Sequence, residues 1–155
     1  MKPLNEKEKL YWNAYLKTDP PGRPLVPRIT ASYAGNRRTT DSLLQLYLSG
    51  KKIAGSSLVQ DFISSGESLP QVGDFWILLD SNSMPRCILK TERSEMHKFK
   101  DVTVEIAVAE GEGDLSIDFW KKTHKKFYDP FLKTWGVTDI EDAAVVTEFF
   151  KLVHR

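Results

Sequence analysis

A chain of 155 residues, 41% hydrophobic and 28% charged, carries enough apolar side chains for one buried core and is too short for two ordinary domains, which excludes a disordered polypeptide. Its formal net charge is +1, and no apolar run approaches the ~18 residues of a membrane span. The start of the chain lacks the apolar stretch of a secretory leader, and Cys87 has no second cysteine to pair with, so a cytoplasmic protein with a buried structural thiol is expected.

The first predicted element is a helix capped by Asn5, with Glu8 completing a capping box and Tyr11, Ala14 and Tyr15 at helical spacing. Asp19-Pro20-Pro21-Gly22 ends it, because proline cannot donate and restricts the residue before it. Residues 19–36, with Pro20, Pro21, Pro24 and Pro27, read as a long extended connection. A second helix follows, capped by Thr40 or Asp41, with Leu43, Leu44, Tyr47 and Leu48 as its apolar face and Gly50 at its C-terminus. Residues 51–58 read as a turn into a strand. Residues 69–74 form a turn, 75–79 a short strand, and Asp80-Ser81-Asn82-Ser83 a hairpin onto a second strand from 86 to 93 that runs on towards His97. Over 98–109 the apolar positions Phe99, Val102, Val104, Ile106 and Val108 fit a helix or a strand equally badly. The clearest helix begins at Ser116, with Ile117, Trp120, His124, Phe127 and Phe131 stepping by three and four; Asp129-Pro130 is expected to restart a short turn that ends near Gly136. A final strand covers 144–153. Short strands between helices, without regular βαβ alternation, argue for an α+β fold around a small sheet or barrel.

Charge is unevenly distributed along the chain. Between Gly22 and Leu58 six bases (Arg23, Arg28, Arg37, Arg38, Lys51, Lys52) face one acid, Asp41. Between Asp101 and Asp118 six acids (Asp101, Glu105, Glu110, Glu112, Asp114, Asp118) occur without a base. The two segments form either a basic surface for a polyanion beside an acidic one, or a pair that neutralises itself in the fold.

Familiar catalytic signatures are missing: there is no Gly-x-Ser-x-Gly elbow, no phosphate-binding loop and no dinucleotide fingerprint. His97, His124 and His154 are too scattered for a zinc spacing, and His124 reads as a histidine at the core edge. Two features carry chemistry. Gly50-Lys51-Lys52, with Ser56 and Ser57 shortly after, offers a lysine to anchor phosphate or, if desolvated, to act as a base; two solvated lysines after a helix end is the bland alternative. Glu110-Gly111-Glu112-Gly113-Asp114 offers carboxylates on a backbone that bends closely, for acid–base work, for pairing with a lysine or for a divalent cation held by Glu112 and Asp114, which nothing in the sequence requires; a solvated loop before a helix is the alternative.

The acidic segment 109–116 followed by Trp120 and His124, together with Leu48-Ser49-Gly50-Lys51-Lys52, the Leu69-Pro70-x-Val72-Gly73-Asp74 turn, Leu79-Asp80 and Val145-Val146-Thr147-Glu148-Phe149-Phe150, resembles the ASCH-domain family of the PUA-like superfold. The resemblance runs from Tyr33 to Val153, and makes residues 1–155 a single domain with 1–32 as an N-terminal helix and lead-in and 33–153 as the core. It implies a small β-barrel flanked by helices and a cleft carrying the Gly-x-Lys motif. Family members were proposed to bind RNA, some bacterial relatives degrade it, and others are amidohydrolases of an acetylated cytidine nucleoside that use a lysine, a threonine three residues later and a glutamate. By motif Lys52 matches the lysine and Glu112 the glutamate, with Glu110 as its rival, while the threonine falls on Gly55 unless Ser56 replaces it after a one-residue shift.

That departure favours a ribonuclease on single-stranded RNA, where the ribose 2′-hydroxyl is the nucleophile. Lys52 is then base or phosphate ligand and Glu112 the acid or the partner of Lys52. Lys51, Arg37 and Arg38 steer phosphates, and Tyr33 or Tyr47 stacks a base, although Tyr47 also fits the apolar face of its helix. The alternatives are a non-catalytic RNA- or nucleotide-binding module in the same cleft, and an amidohydrolase of acylated cytidine nucleosides with Ser56 as nucleophile.

Overall fold

The computed structural model describes residues 2–22 and 27–155; Met1, and Arg23 and Pro24 of the predicted basic connection, lie outside the described residues. Residues group into two compact units, Met1–Gly50 with Gln71–Glu92 and Phe150–Arg155, and Lys51–Pro70 with Arg93–Phe149. Among the described residues there are five α-helices and five strands, and the strands follow one another in the order β1-β3-β4-β5-β2 in a mixed sheet, so the fold is α+β as the sequence implies. No helix of the described residues is long and apolar enough to cross a membrane.

In the first unit, α1 (Glu6–Leu16) starts with the predicted reciprocal cap: Asn5 Oδ1 accepts the Glu8 N–H, and Glu8 Oε2 accepts the Asn5 N–H, both at 2.9 Å. β1 (Ile29–Tyr33) lies inside the stretch read as a connection and pairs in parallel with β3 (Phe75–Leu79). β1 is an edge strand, so β3 satisfies the backbone groups along one side of it, a pairing that is invisible locally. β3 turns into β4 (Pro85–Lys98) through the expected hairpin, where Asp80 Oδ1 accepts the N–H groups of Asn82 and Met84.

β3 is apolar on both faces, and its alternation divides the core. Phe75, Ile77 and Leu79 pack with Trp12, Tyr15 and Ile88, while Leu78 packs with Leu44, Tyr47, Cys87 and Leu89. Cys87 is fully buried, and burial pushes its thiol up to about 12, which fits an unreactive structural role. α2 (Thr40–Leu48) differs at its start from the expected cap. Thr39 occupies the cap position without a side-chain bond to the helix, Asp41 instead accepts from Ser81, and Thr40 is buried, donating to Leu79 O at 2.6 Å and accepting from the Ala34 N–H at 3.0 Å.

In the second unit, β2 (Ala54–Leu58) pairs antiparallel with β5 (Ala144–His154), placing Ser56 opposite Thr147. α3 (Val59–Ser65) follows, a helix for which the sequence reading has no counterpart. The undecided stretch 98–109 becomes a short 3-10 turn, Phe99–Asp101, and α4 (Val104–Glu110). Thr103 decides the matter by capping the Ile106 N–H, and Ile106, Ala107 and Ala109 are buried while Val104 and Val108 face solvent. α5 (Ile117–Leu132) starts at the predicted Ser116 cap, whose Oγ accepts the Phe119 N–H at 3.0 Å.

Two expectations about α5 are corrected. The helix runs through Pro130 instead of restarting there: the missing N–H forgoes one bond to the preceding turn, and the packing of Tyr128 and Leu132 on the core on either side of it offsets that loss. Phe131 is exposed and stacks on Trp135 at 5.2 Å, off the core face. The core of this unit comprises Phe99, Ile106, Trp120, Tyr128, Val145 and Phe149 among others. Each large apolar side chain so buried contributes about 1.5–3 kcal/mol of transfer free energy.

Candidate functional site

Lys52 enters from the lead-in to β2. Ile53 donates its N–H to Ala109 O at 2.8 Å, which ties that lead-in to the last turn of α4. The helix then ends at Gly111 in the left-handed conformation (φ +67), and a Cβ there would stand 2.2 Å from the Lys51 carbonyl oxygen. Conformation and close approach both demand glycine. With the backbones so close, the Lys52 ammonium donates to Glu110 O at 3.2 Å, a cation on a helix C-terminal carbonyl.

Two carboxylates meet the same ammonium. Lys52 Nζ lies 3.3 Å from Glu110 Oε1 and 2.9 Å from Glu112 Oε2; the Lys52 and Glu110 side chains are 4% and 3% exposed, and that of Glu112 is 21% exposed. Glu110 Oε2 accepts from Ser56 Oγ at 2.7 Å and from the Trp120 indole N–H, and His124 Nε2 lies 3.6 Å from Oε1. Burial by itself would raise the Glu110 carboxyl. The Lys52 ammonium, then the nearby imidazole of His124 and the bond from Ser56, outweigh it and hold Glu110 well below the usual carboxylate range. Glu110 is therefore a buried anion.

The imidazole of His124 stacks on Trp120 at 4.1 Å and donates from Nδ1 to Trp120 O at 2.7 Å. Burial opposes its charged form. The charge of Glu110 close by and the bond to the Trp120 carbonyl prevail, so its pKa is raised above the ordinary histidine value.

A chain of hydrogen bonds leads away from Glu110. Ser56 Oγ is 2.6 Å from Thr147 Oγ1 on the paired strand, and Thr147 Oγ1 is 2.9 Å from His97 Nε2. Its direction is set by Glu110, which can only accept: Ser56 donates to the carboxylate and takes its own bond from Thr147. Gly55, one residue earlier in β2, falls on the other face of the strand by alternation, opposite Glu148.

The acidic loop is pinned. Gly113 (φ +58) packs so closely that a Cβ would stand 2.5 Å from the Phe119 ring, and Leu115 is left-handed at φ +66, unusual for a branched residue. Asp114 Oδ1 accepts the Ser116 N–H at 3.0 Å and so helps start α5. A cavity of about 10 Å³, room for a single water, opens among Glu110, Glu112, Ser116, Phe119, Trp120 and His124. Among the described residues no group of three or more His, Cys, Asp or Glu side chains is arranged to hold a metal ion.

Of the residues singled out in the sequence, Lys52, Ser56, Glu110 and Glu112 come together, with Lys51 exposed beside them in the chain. Part of the acidic segment is thus neutralised by Lys52, and Glu105 pairs with Arg93. Arg37, Arg38, Tyr33 and Tyr47 belong to the first unit. There Arg37 donates to Tyr33 Oη at 2.7 Å and lies over its ring, and Arg38 is exposed. The base-stacking role considered for Tyr47 is corrected: its ring is 3% exposed and packed edge-on against Trp76 and Phe150 in the core. His124, read as a core-edge histidine, adds a contact to Glu110, and its position four residues after Trp120 signals that shared face. Thr147 and His97 are additions. Thr147 carries a weak signal, as a polar residue between Val145 and Phe149 on the buried face of β5; His97 carries none.

The family model for the ASCH domain matches residues 30–154. Among solved structures, the chain is similar to an ASCH domain from Lactobacillus crispatus JV V101, with a TM-score of 0.87 and 25% identity over 100% of this chain and 99% of that one. It is also similar to a protein from Enterococcus faecalis V583, with a TM-score of 0.81 and 26% identity over 96% of this chain and 89% of the other. No curated protein matches it significantly. The matched span takes in every residue of the Lys52–Glu110 cluster, and on that match the chain belongs to the ASCH domain family.

Proposed function

We propose that the protein is a cytoplasmic ribonuclease acting on single-stranded RNA. The observation that supports this reading most is Lys52, an ammonium only 4% exposed and shared between a buried carboxylate and a partly exposed one. Flanked by Glu110 and Glu112, Lys52 suits the role of cation better than that of base. In the reaction the ribose 2′-oxygen bonds to phosphorus and the bond from phosphorus to the 5′-oxygen breaks. Glu112 carries the proton from the 2′-hydroxyl to the departing 5′-oxygen, and Lys52 offsets the charge that builds on the phosphorane oxygens. Glu110, with Ser56, Trp120 and His124 bonded or facing it, positions Lys52. Lys51 is an exposed cation for the neighbouring phosphate, and Arg37, Arg38 and Tyr33 give the first unit a cationic and aromatic surface of the kind that binds single strands.

The test is incubation of labelled single-stranded RNA with the wild type, Lys52→Gln and Glu112→Gln, with and without a chelator, after circular dichroism confirms that the variants fold. The wild type is expected to cleave in both conditions and each variant to lose about 100-fold or more. Undiminished cleavage by Lys52→Gln would remove the reading, and salt-sensitive binding without turnover would make the protein a binding module.

One observation favours a second reading. Ser56 Oγ donates to Glu110 Oε2 at 2.7 Å, the relation of a hydroxyl nucleophile to a carboxylate, which suits an amidohydrolase of acylated cytidine nucleosides with Ser56 in place of the residue at Gly55. Inertness towards acylated cytidine eliminates it.

A further inference from the structure

The two carboxylates on Lys52 are held very differently. An ammonium has three N–H donors, and three bonds run from Lys52 to Glu110 O, Glu110 Oε1 and Glu112 Oε2. Glu110 is buried, and Lys52, Ser56, Trp120 and His124 all converge on it. The Glu112 carboxylate is 21% exposed, and among the described residues its side-chain partner is Lys52. Lys52 itself is buried, so an incoming ligand reaches Nζ where Glu112 now stands. The backbone on either side is fixed by Gly111 against Lys51 and by Gly113 against Phe119, so exchange needs rotation of the Glu112 side chain and no loop movement.

We propose that Glu112 is a resident anion in a phosphodiester subsite: its carboxylate fills the third N–H of Lys52 in the free protein, and a singly charged phosphate diester displaces it. The proposal rests on the RNA reading above for the identity of the ligand. Charge supports the diester specifically. A phosphodiester carries one negative charge, as the carboxylate does, so the exchange leaves the balance around buried Glu110 and Lys52 unchanged. A dianionic monoester adds an uncompensated charge beside Glu110 and is disfavoured. The free protein thus discounts its own affinity by the fraction of time that Glu112 is away from Lys52.

The test uses dimethyl phosphate, a diester without base or sugar, titrated into isotope-labelled full-length protein and followed by NMR. In the wild type the carboxyl carbon of Glu112 is expected to shift on titration while that of Glu110 stays, together with the Gly111 and Gly113 amides. Glu112→Gln, which removes the competing charge at a partly exposed position, is expected to bind dimethyl phosphate roughly tenfold tighter than the wild type. Glu112→Asp, which keeps the charge, should stay near the wild type. Equal or weaker binding by Glu112→Gln, or a Glu112 carboxyl signal that does not move, overturns the proposal. Absence of RNA cleavage by the wild type, alongside the expected diester binding, would instead count against the ribonuclease reading alone.

Discussion

His124 directs Nε2 at the carboxylate of Glu110, 3.6 Å away, from a ring stacked on Trp120. The two groups shift in opposite directions, and each has a consequence for stability. The folded pKa of His124 is raised above 6.5, so its contribution is fully present below that value and is lost as pH rises through the folded pKa. The folded pKa of Glu110 is lowered from 4.5, so its contribution is present above that value and is lost as pH falls towards the folded pKa. Thermal midpoints across pH should therefore decline above 6.5 in the wild type and lose that decline in His124→Phe, which keeps a stacked ring. An identical alkaline slope in both proteins would show that the contact does not couple to folding.

The unequal burial of the two carboxylates predicts unequal costs. Glu110→Gln removes a buried charge from a buried ammonium and should cost about 3–5 kcal/mol in urea unfolding. Glu112→Gln acts on a partly solvated pair and should cost about 0–1 kcal/mol. Similar values for the two would contradict the assignment of Glu110 as the anchor.

Gly111 and Gly136 are both left-handed, at φ +67 and +72, but only Gly111 faces backbone at contact distance. Gly136→Ala should cost about 1–2 kcal/mol, the conformational term alone. Gly111→Ala must also displace the Lys51 carbonyl, so it should exceed Gly136→Ala by at least ~1 kcal/mol and perturb the Lys52 resonances. Equal penalties would mean that the close approach is relaxed in solution.

Thr40 donates to Leu79 O and accepts from Ala34 N while fully buried. Thr40→Val keeps the shape and strands both partners, at a cost of about 1–3 kcal/mol for each unsatisfied group. Thr40→Ser keeps the bonds and loses a methyl, about 1 kcal/mol. Chemical denaturation should rank Ser above Val, and the reverse order would make Thr40 a packing residue only.

Where local chemistry settles structure, the sequence was sufficient. The Asn5–Glu8 box, the Ser116 cap and the Asp80 hairpin each depend on residues within four positions of one another. β1 was hidden because Ile29–Tyr33 is stabilised by a strand more than forty residues away. The stretch 98–109 was ambiguous because Val104 and Val108 are exposed in a helix whose buried face is Ile106, Ala107 and Glu110. That last face also separates the two glutamates. Glu110 sits three and four positions after Ala107 and Ile106, on the core side, whereas Glu112 lies beyond the helix end. Spacing alone gave both as candidates. His97 and Thr147 joined the cluster through strand pairing, which no local pattern announces.

Trp120 is one of four tryptophans, and its indole is bonded to the Glu110 carboxylate and stacked on His124. Its excited state is thus wired to the charge of the cluster. Protonation of His124 or reorganisation around Lys52 should alter emission from that ring, giving the site a built-in optical reporter. Ligand exchange could then be timed in a stopped-flow instrument without a label, with Trp120→Phe as the dark control.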